Sequence, residues 1–254
     1  GDENGGTNDR IAFYQFSREG KYEQRYVLNY AAASVSANGD TRSYTVELTS
    51  STGGEKRFII VESENESNFP NMSATNTIDE LLNSKTVAES GKLNPPFVMS
   101  NVKTDGKEYV TVADVESSNN QVDVKLKRRV ARFDLLNDPT ESGLVIDKVY
   151  IKNRYTQGFI GDVSGNAGNI SSDVLEIPAA DGKSFYLYPT QLTSTLEQNE
   201  KTVVWATTKL ANTNTEGPTL YLNLTADINV EANYLYQLNT KKIAGSTGFD
   251  ISVE

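Results

Sequence analysis

Apolar and polar residues alternate with a period of two along much of the chain. Tyr44, Val46 and Leu48 interleave with Thr45, Glu47 and Thr49, and Leu220, Leu222 and Leu224 with Tyr221, Asn223 and Thr225. This is the pattern of strands with one buried and one wet face. Runs at 58–61, 185–188 and 203–205 are apolar on both faces, as in central strands or strands covered by loops. Gly, Asn, Asp and Ser punctuate the gaps. Helical patterning is scarce. The clear case is Thr77-Ile78-Asp79-Glu80-Leu81-Leu82, where Thr77 is placed to cap the first amides and Glu80 to reach back to the cap's own N–H. Ile78, Leu81 and Leu82 then share a face, which predicts one short helix packed on a sheet.

The phase of the alternation breaks once. Val122, Val124 and Leu126 point one way, but from Ala131 the inward set becomes Ala131, Phe133 and Leu135. The slip, around Arg128-Arg129-Val130, requires a bulge or a crossing from one sheet or domain to another. A polar stretch, Glu116-Ser117-Ser118-Asn119-Asn120, lies just before it. The chain is therefore expected to divide into domains at 1–120 and 121–254, each of ordinary β-sandwich size.

Composition narrows the chemistry. The chain of 254 residues has no His and no Cys, which removes the imidazole base, the thiol nucleophile and nearly every transition-metal site. No cofactor is expected. A net charge of −10 argues against nucleic acid and against an anionic membrane surface as partners. No apolar run approaches the length of a membrane helix. The start, Gly1-Asp2-Glu3-Asn4-Gly5-Gly6, reads as a flexible leader or as the scar of a targeting segment already removed.

Few residues suggest a site. The basic cluster of Lys125, Lys127, Arg128, Arg129 and Arg132 reads as a solvated strand face or, alternatively, as a polyanion patch or a protease target. The acids Asp114 and Glu116 have no spacing that sets two carboxyls across a cleft. Asp162-Val163-Ser164-Gly165-Asn166 lacks the alternating acids of a calcium loop and reads as a turn. The 13 Tyr and the single Trp205 suit sheet packing, with a sugar-stacking surface around Trp205 or Tyr155 as the alternative.

The order of landmarks resembles the fimbrillin superfamily of Bacteroidales surface pili. The opening strand Ile11-Ala12-Phe13-Tyr14-Gln15-Phe16 runs into a Gly turn, and Arg57-Phe58-Ile59-Ile60-Val61 follows a second one at Gly53-Gly54. Pro95-Pro96-Phe97-Val98-Met99-Ser100 is similar to the family's Phe-Pro-Met-Ser segment. Leu126-Lys127-Arg128-Arg129-Val130-Ala131-Arg132-Phe133 is similar to the opening of its second domain. Phe185-Tyr186-Leu187-Tyr188-Pro189 and Asn233-Tyr234-Leu235-Tyr236-Gln237-Leu238 complete the series.

The resemblance implies an all-β chain of two tandem transthyretin-like Greek-key β-sandwich domains, with one short helix in the N-terminal domain. It further implies a non-enzymatic pilus subunit at the cell surface and outer membrane, exported and held by an N-terminal lipid that this chain lacks. Its partners would be other fimbrial subunits, joined head to tail by strand exchange after an arginine-specific protease removes a leading strand, and host or bacterial surface ligands. The strand-exchange candidates are Ile11, Phe13 and Gln15 in the opening strand and Phe249, Ile251 and Val253 in the last. Arg10, in a polar leader, and the pair Arg128 and Arg129 are the candidate processing sites. A glycan-binding surface lipoprotein on the same scaffold is the alternative function.

Overall fold

The computed structural model describes residues 10–35, 41–48, 53–117, 120–178, 183–195, 200–243 and 246–254. The chain is all-β with minor helix and forms two compact units. The first comprises Gly1–Val87, Pro95–Arg129 and Phe159–Val163, and the second Ala88–Asn94, Val130–Gly158 and Ser164–Glu254.

In the first unit β1 (Arg10–Ser17) and β2 (Tyr22–Asn29) form a hairpin. Its turn closes with the Lys21 carbonyl accepting the Ser17 N–H at 2.8 Å, and Gly20 supplies the positive φ of 81°. The short pair β3 (Ser34–Val35) and β4 (Arg42–Ser43) follows, then β5 (Lys56–Ser63), α1 (Ile78–Leu82), β6 (Met99–Asn101), β7 (Val110–Val112) and β8 (Leu126–Arg128). The main sheet runs β2-β1-β5-β6-β8, with β7 also on β5. Ala12, Tyr14 and Phe16 of β1 meet Ile59 and Val61 of β5 and all three apolar residues of α1 in one core. Each large apolar side chain buried there contributes roughly 1.5–3 kcal/mol.

A five-residue helix is not stable by itself, so α1 depends on this packing. Thr77 accepts the Glu80 N–H at 3.3 Å as expected. The Glu80 carboxylate, however, takes the side-chain amide of Asn76. The expected strand around Tyr44, Val46 and Leu48 alternates between half-buried and exposed, but only Arg42 and Ser43 are laddered. Burial period and strand pairing are thus separable here.

The second unit begins with β9 (Ala131–Leu136), a one-turn α2 (Pro139–Ser142) and β10 (Leu144–Lys152). Then come β11 (Tyr155–Gln157), β12 (Ala167–Ile170), β13 (Leu175–Pro178), β14 (Ser184–Leu187), β15 (Thr190–Leu192), β16 (Val203–Leu210) and β17 (Leu220–Leu222). β18 (Ile228–Val230), β19 (Leu235–Ile243) and β20 (Ser246–Val253) complete it. Eight strands form one sheet in the order β13-β10-β16-β17-β20-β19-β9-β14, while β11 pairs with β12 and β15 with β18. The β17–β20 and β19–β9 ladders are parallel. Phe133 of β9 stacks between Phe185 and Tyr236, its opposite numbers on β14 and β19, at 5.0 Å from each. The phase slip at 128–130 proves to be a crossing, because β8 belongs to the first sheet and β9 to the second.

Candidate functional site

β1 is an interior strand. Its residues face β2 on one side and β5 on the other, from Arg10 (opposite Asn29 and Ser63) through Phe16. Both faces are covered as well. Opposite the core, Ile11 is 4% exposed, Phe13 meets the Tyr44 ring edge-on at 5.7 Å, and Gln15 is fully buried. The Gln15 amide donates to Glu23 at 3.2 Å and its carbonyl accepts from the Tyr26 hydroxyl at 3.2 Å. Glu23 in turn holds the ammonium of buried Lys56 at 2.8 Å. The placement of Ile11, Phe13 and Gln15 at a sheet edge is therefore corrected: as the strand stands, no backbone edge is free. Six consecutive residues with apolar groups on both faces already carried the signal of a covered strand.

Arg10 is drawn into the same ladder. It is the first residue of β1, with its guanidinium 2.5 Å from Glu66. The peptide bond after it lies inside a ladder, whereas a protease needs extended, released backbone. The leader itself, residues 1–9, lies outside the described residues.

β20 has a different environment. Glu254 and Leu235 exchange both backbone hydrogen bonds, and the register with β19 then continues in alternation from there. The N–H and C=O groups of Ser252 and Asp250 therefore face β19, and those of Val253, Ile251 and Phe249 face away. The Phe249 carbonyl accepts the Asn223 N–H at 2.7 Å, and the parallel ladder with β17 covers only Gly248 and Phe249. Beyond it, the outward backbone groups of Ile251 and Val253 meet no partner among the described residues. Phe249 is fully buried, Ile251 packs on the core's margin and Val253 is 52% exposed. The strand is thus rooted at Phe249 and open along its last residues.

Arg128 and Arg129, the other processing candidates, stand in paired or buried surroundings. Arg128 is laddered to Met99 in β8. The Arg129 side chain is 3% exposed and donates to the Gly161 carbonyl at 2.7 Å, with the Asp162 carboxylate 3.7 Å away. Cleavage at either would require β8 to come apart first. Burial pulls the Arg129 pKa down to about 10, with Asp162 opposing, so it remains a cation at neutral pH. Asp162 also holds the Lys127 ammonium at 2.6 Å and accepts the Lys103 N–H at 3.0 Å. Its own burial would raise its pKa, but Lys127, Lys103 and Arg129 hold it below the ordinary carboxylate value. Two of the five basic residues read as a solvated face are thus clasped around one carboxylate. Arg132, a third, lies 2.6 Å from Asp134.

Other sequence candidates stay apart. Asp114 accepts the Glu116 N–H at 3.0 Å in an exposed turn, so these acids do not face each other across a cleft. Among the described residues no group of three or more Asp or Glu is placed to hold a metal ion.

No family model matches the chain, and neither does any curated protein. Solved structures do match. A fimbrial assembly protein from Parabacteroides distasonis superposes with a TM-score of 0.57 at 12% identity, covering 97% of this chain and 91% of that one. The C-terminally truncated tip fimbrial protein of Porphyromonas gingivalis gives 0.58 at 14% identity, covering 98% and 95%. A candidate cell adhesion protein from Bacteroides uniformis gives 0.55 at 13% identity, covering 100% and 94%. The likeness, at 12–14% identity, is one of fold: the chain shares the architecture of these three proteins. The described residues offer two kinds of surface: the open backbone of β20 and the outer face of the eight-stranded sheet. On that face Tyr150 of β10, Trp205 of β16 and Tyr221 of β17 stand directly opposite one another.

Proposed function

We propose that the chain is a structural, non-enzymatic subunit of a bacterial cell-surface fimbria, exported to the outer membrane surface and joined head to tail to other subunits by strand pairing, with adhesion as its role. We read the two units as tandem transthyretin-like Greek-key sandwiches, the chain passing from the first to the second at Arg129–Val130. The fold likeness, which runs over nearly the whole chain, supports this reading.

The observation that carries it is the open margin of β20. Ile251 and Val253 present two donors and two acceptors in a row. A strand laid against them would gain about 2–6 kcal/mol from four hydrogen bonds, at roughly 0.5–1.5 kcal/mol each. Head-to-tail pairing of this kind does not close on itself, so it propagates. The β1 candidates would take part only after release from both neighbours, which places them second to Ile251 and Val253.

Val253→Pro tests this directly. Proline deletes one outward N–H and leaves the β19 ladder intact, because Ser252 and Glu254 carry that pairing. The chain is incubated with and without brief trypsin treatment and inspected by gel filtration and negative-stain electron microscopy. Filaments or a ladder of oligomers are expected, and Val253→Pro should abolish them. Monomers under both conditions, or oligomers indifferent to the proline, would refute the assignment.

A further inference from the structure

Open backbone also occurs on β2, the border strand of the first unit's main sheet. The Ser17 N–H donates to the Lys21 carbonyl, so Ser17, and by alternation Gln15, Phe13 and Ile11, direct their backbone groups at β2. Gln24, Tyr26 and Leu28 lie opposite the last three of these. The backbone groups of Arg25, Val27 and Asn29 therefore point out of the sheet. Near the hairpin turn the edge is covered, because the Tyr22 N–H donates to the Asn76 carbonyl at 2.9 Å and Lys21 bridges Thr77. Beyond it, the N–H and C=O of Arg25 and Val27 and the outward N–H of Asn29 meet no partner among the described residues.

Nothing blunts this stretch. Edge strands are ordinarily protected by Lys, Pro or a covering segment, and residues 25–29 contain neither Lys nor Pro. Their one charge, Arg25, is drawn away from the edge. Its guanidinium donates to the Phe69 and Pro70 carbonyls at 3.1 and 3.3 Å and to the Asn71 side chain at 3.2 Å. A concavity of about 480 Å³ separates Val27 from Phe69 and Pro70, so the covering loop stands back from the strand. Val27 is 37% exposed beside it.

We propose that β2 is a self-pairing edge, at which two copies of this chain join antiparallel about a two-fold axis through Val27. In that register Val27 faces its own counterpart and exchanges two hydrogen bonds with it, and each Asn29 N–H meets the Arg25 carbonyl of the other copy. The two valine side chains meet over the concavities. Each guanidinium lies opposite an asparagine, so no like charges face each other. Sliding the register toward the hairpin turn drives the second strand toward Asn76 and brings the guanidiniums together. Sliding it the other way leaves the Arg25 groups unpaired. Asn29 ends the strand, and the single turn Tyr30–Ala32 takes the chain out of line, clear of the stretch that Asn76 covers on the other copy. Such a contact is isologous and closes at two copies, whereas pairing at β20 runs head to tail. The dimer requires no filament and stands apart from the assembly reading.

The chain has no Cys, so single introduced cysteines report the contact cleanly. Hydrogen-bonded antiparallel partners have Cα atoms about 5.5 Å apart, within disulfide range. Val27→Cys should therefore cross-link to itself under mild oxidation. In Arg25→Cys or Asn29→Cys alone the two thiols would stand about 14 Å apart along the strands and should cross-link far more slowly, but the two variants mixed should cross-link readily. Sedimentation equilibrium of the unaltered chain over about 10–500 μM should show a concentration-dependent dimer, since contacts this small are weak. Val27→Pro deletes one outward donor per copy, leaves the β1 ladder intact, and should weaken the dimer roughly five- to hundredfold. Val27→Lys keeps that donor and should also weaken it, by setting two ammoniums opposite each other. Circular dichroism verifies that both variants fold. Val253→Pro should remove the head-to-tail ladder and leave this dimer, and Val27→Pro should do the reverse, so the two readings fail separately. A chain monomeric throughout, or a dimer unmoved by both Val27→Pro and Val27→Lys, would overturn the proposal. So would Val27→Cys trapping no faster than Asn29→Cys alone, or cross-linking preferentially to Ile251→Cys, which would assign the edge to β20.

Discussion

Replacing Asp162 by alanine should damage the first unit more than replacing Arg129 itself. In the native chain Arg129 is 3% exposed, and its Nε and Nη2 have no hydrogen-bond partner. Its charge is compensated by Asp162 at 3.7 Å. At that separation and an effective dielectric of about 20, the Coulomb attraction is about 4.5 kcal/mol. Asp162 is 19% exposed, and solvent screening reduces the figure to about 3 kcal/mol, within the usual range for stranding a buried charge. Arg129→Met removes the cation together with its two orphaned donors. It leaves the Gly161 carbonyl unpaired, while Asp162 keeps Lys127 and Lys103, so the expected cost is only about 1 kcal/mol.

Urea unfolding read by far-ultraviolet circular dichroism follows both units, and Trp205 fluorescence follows the second alone. Asp162→Ala should lower the first unit's stability by about 2 kcal/mol more than Arg129→Met, and adding Arg129→Met to Asp162→Ala should restore part of the loss. The pH profile provides a second reading. Because the Asp162 pKa lies below its ordinary value of 3.8, its contribution is present above that pH and is lost as pH falls through the folded value. Asp162→Ala should flatten that acid limb. An Arg129→Met variant less stable than Asp162→Ala would refute the reasoning.

Two further outcomes follow from the first unit's core. A Cβ on Gly161 would stand 2.6–2.7 Å from Leu82 atoms, its backbone Cα included, so Gly161→Ala should cost about 1–3 kcal/mol in urea unfolding. Gly91→Ala, with nothing within 4 Å, should be nearly neutral, and equal effects would contradict this packing. Burial pushes the Tyr14 pKa up to about 12 while its hydroxyl donates to the Pro70 carbonyl at 2.8 Å. Roughly 3 kcal/mol of stability is therefore present below pH 10 and lost as pH rises through 12. A phenolate absorbance titration should show one tyrosine ionising late, and that component should vanish in Tyr14→Phe.

Local signals in the sequence were legible. Thr77 caps α1 because a cap needs only its own next three residues, and the slip at 128–130 is a break in a short period. Asp138 and Pro139 at the start of α2, with Gly143 ending it in the left-handed region, carried an equally local signal that is easy to miss in a single turn. Long-range pairing was not legible. Whether β1 lies at an edge depends on β5, which is far along the chain, and no local pattern reports a ladder's second side. Arg129 reads as a surface cation until the fold brings Gly161, 32 positions on, to its guanidinium. Tyr150, Trp205 and Tyr221 form a row only once two registers are fixed.

The placement of the β19–β20 hairpin has a consequence for how the second unit is made. These two strands follow every other strand of the sheet in sequence, yet they lie in its middle, wedged between β17 and β9. Until they emerge, β13, β10, β16 and β17 form one raw-edged half and β9 with β14 another. A chain that emerges from its amino end holds both halves ajar until these last strands appear. Closure then waits on contacts that span nearly the whole unit, the slowest kind to form. In that interval the same unsatisfied margins are exposed to any neighbouring copy, so a holdase chaperone that covers apolar strands would raise the yield of folded protein.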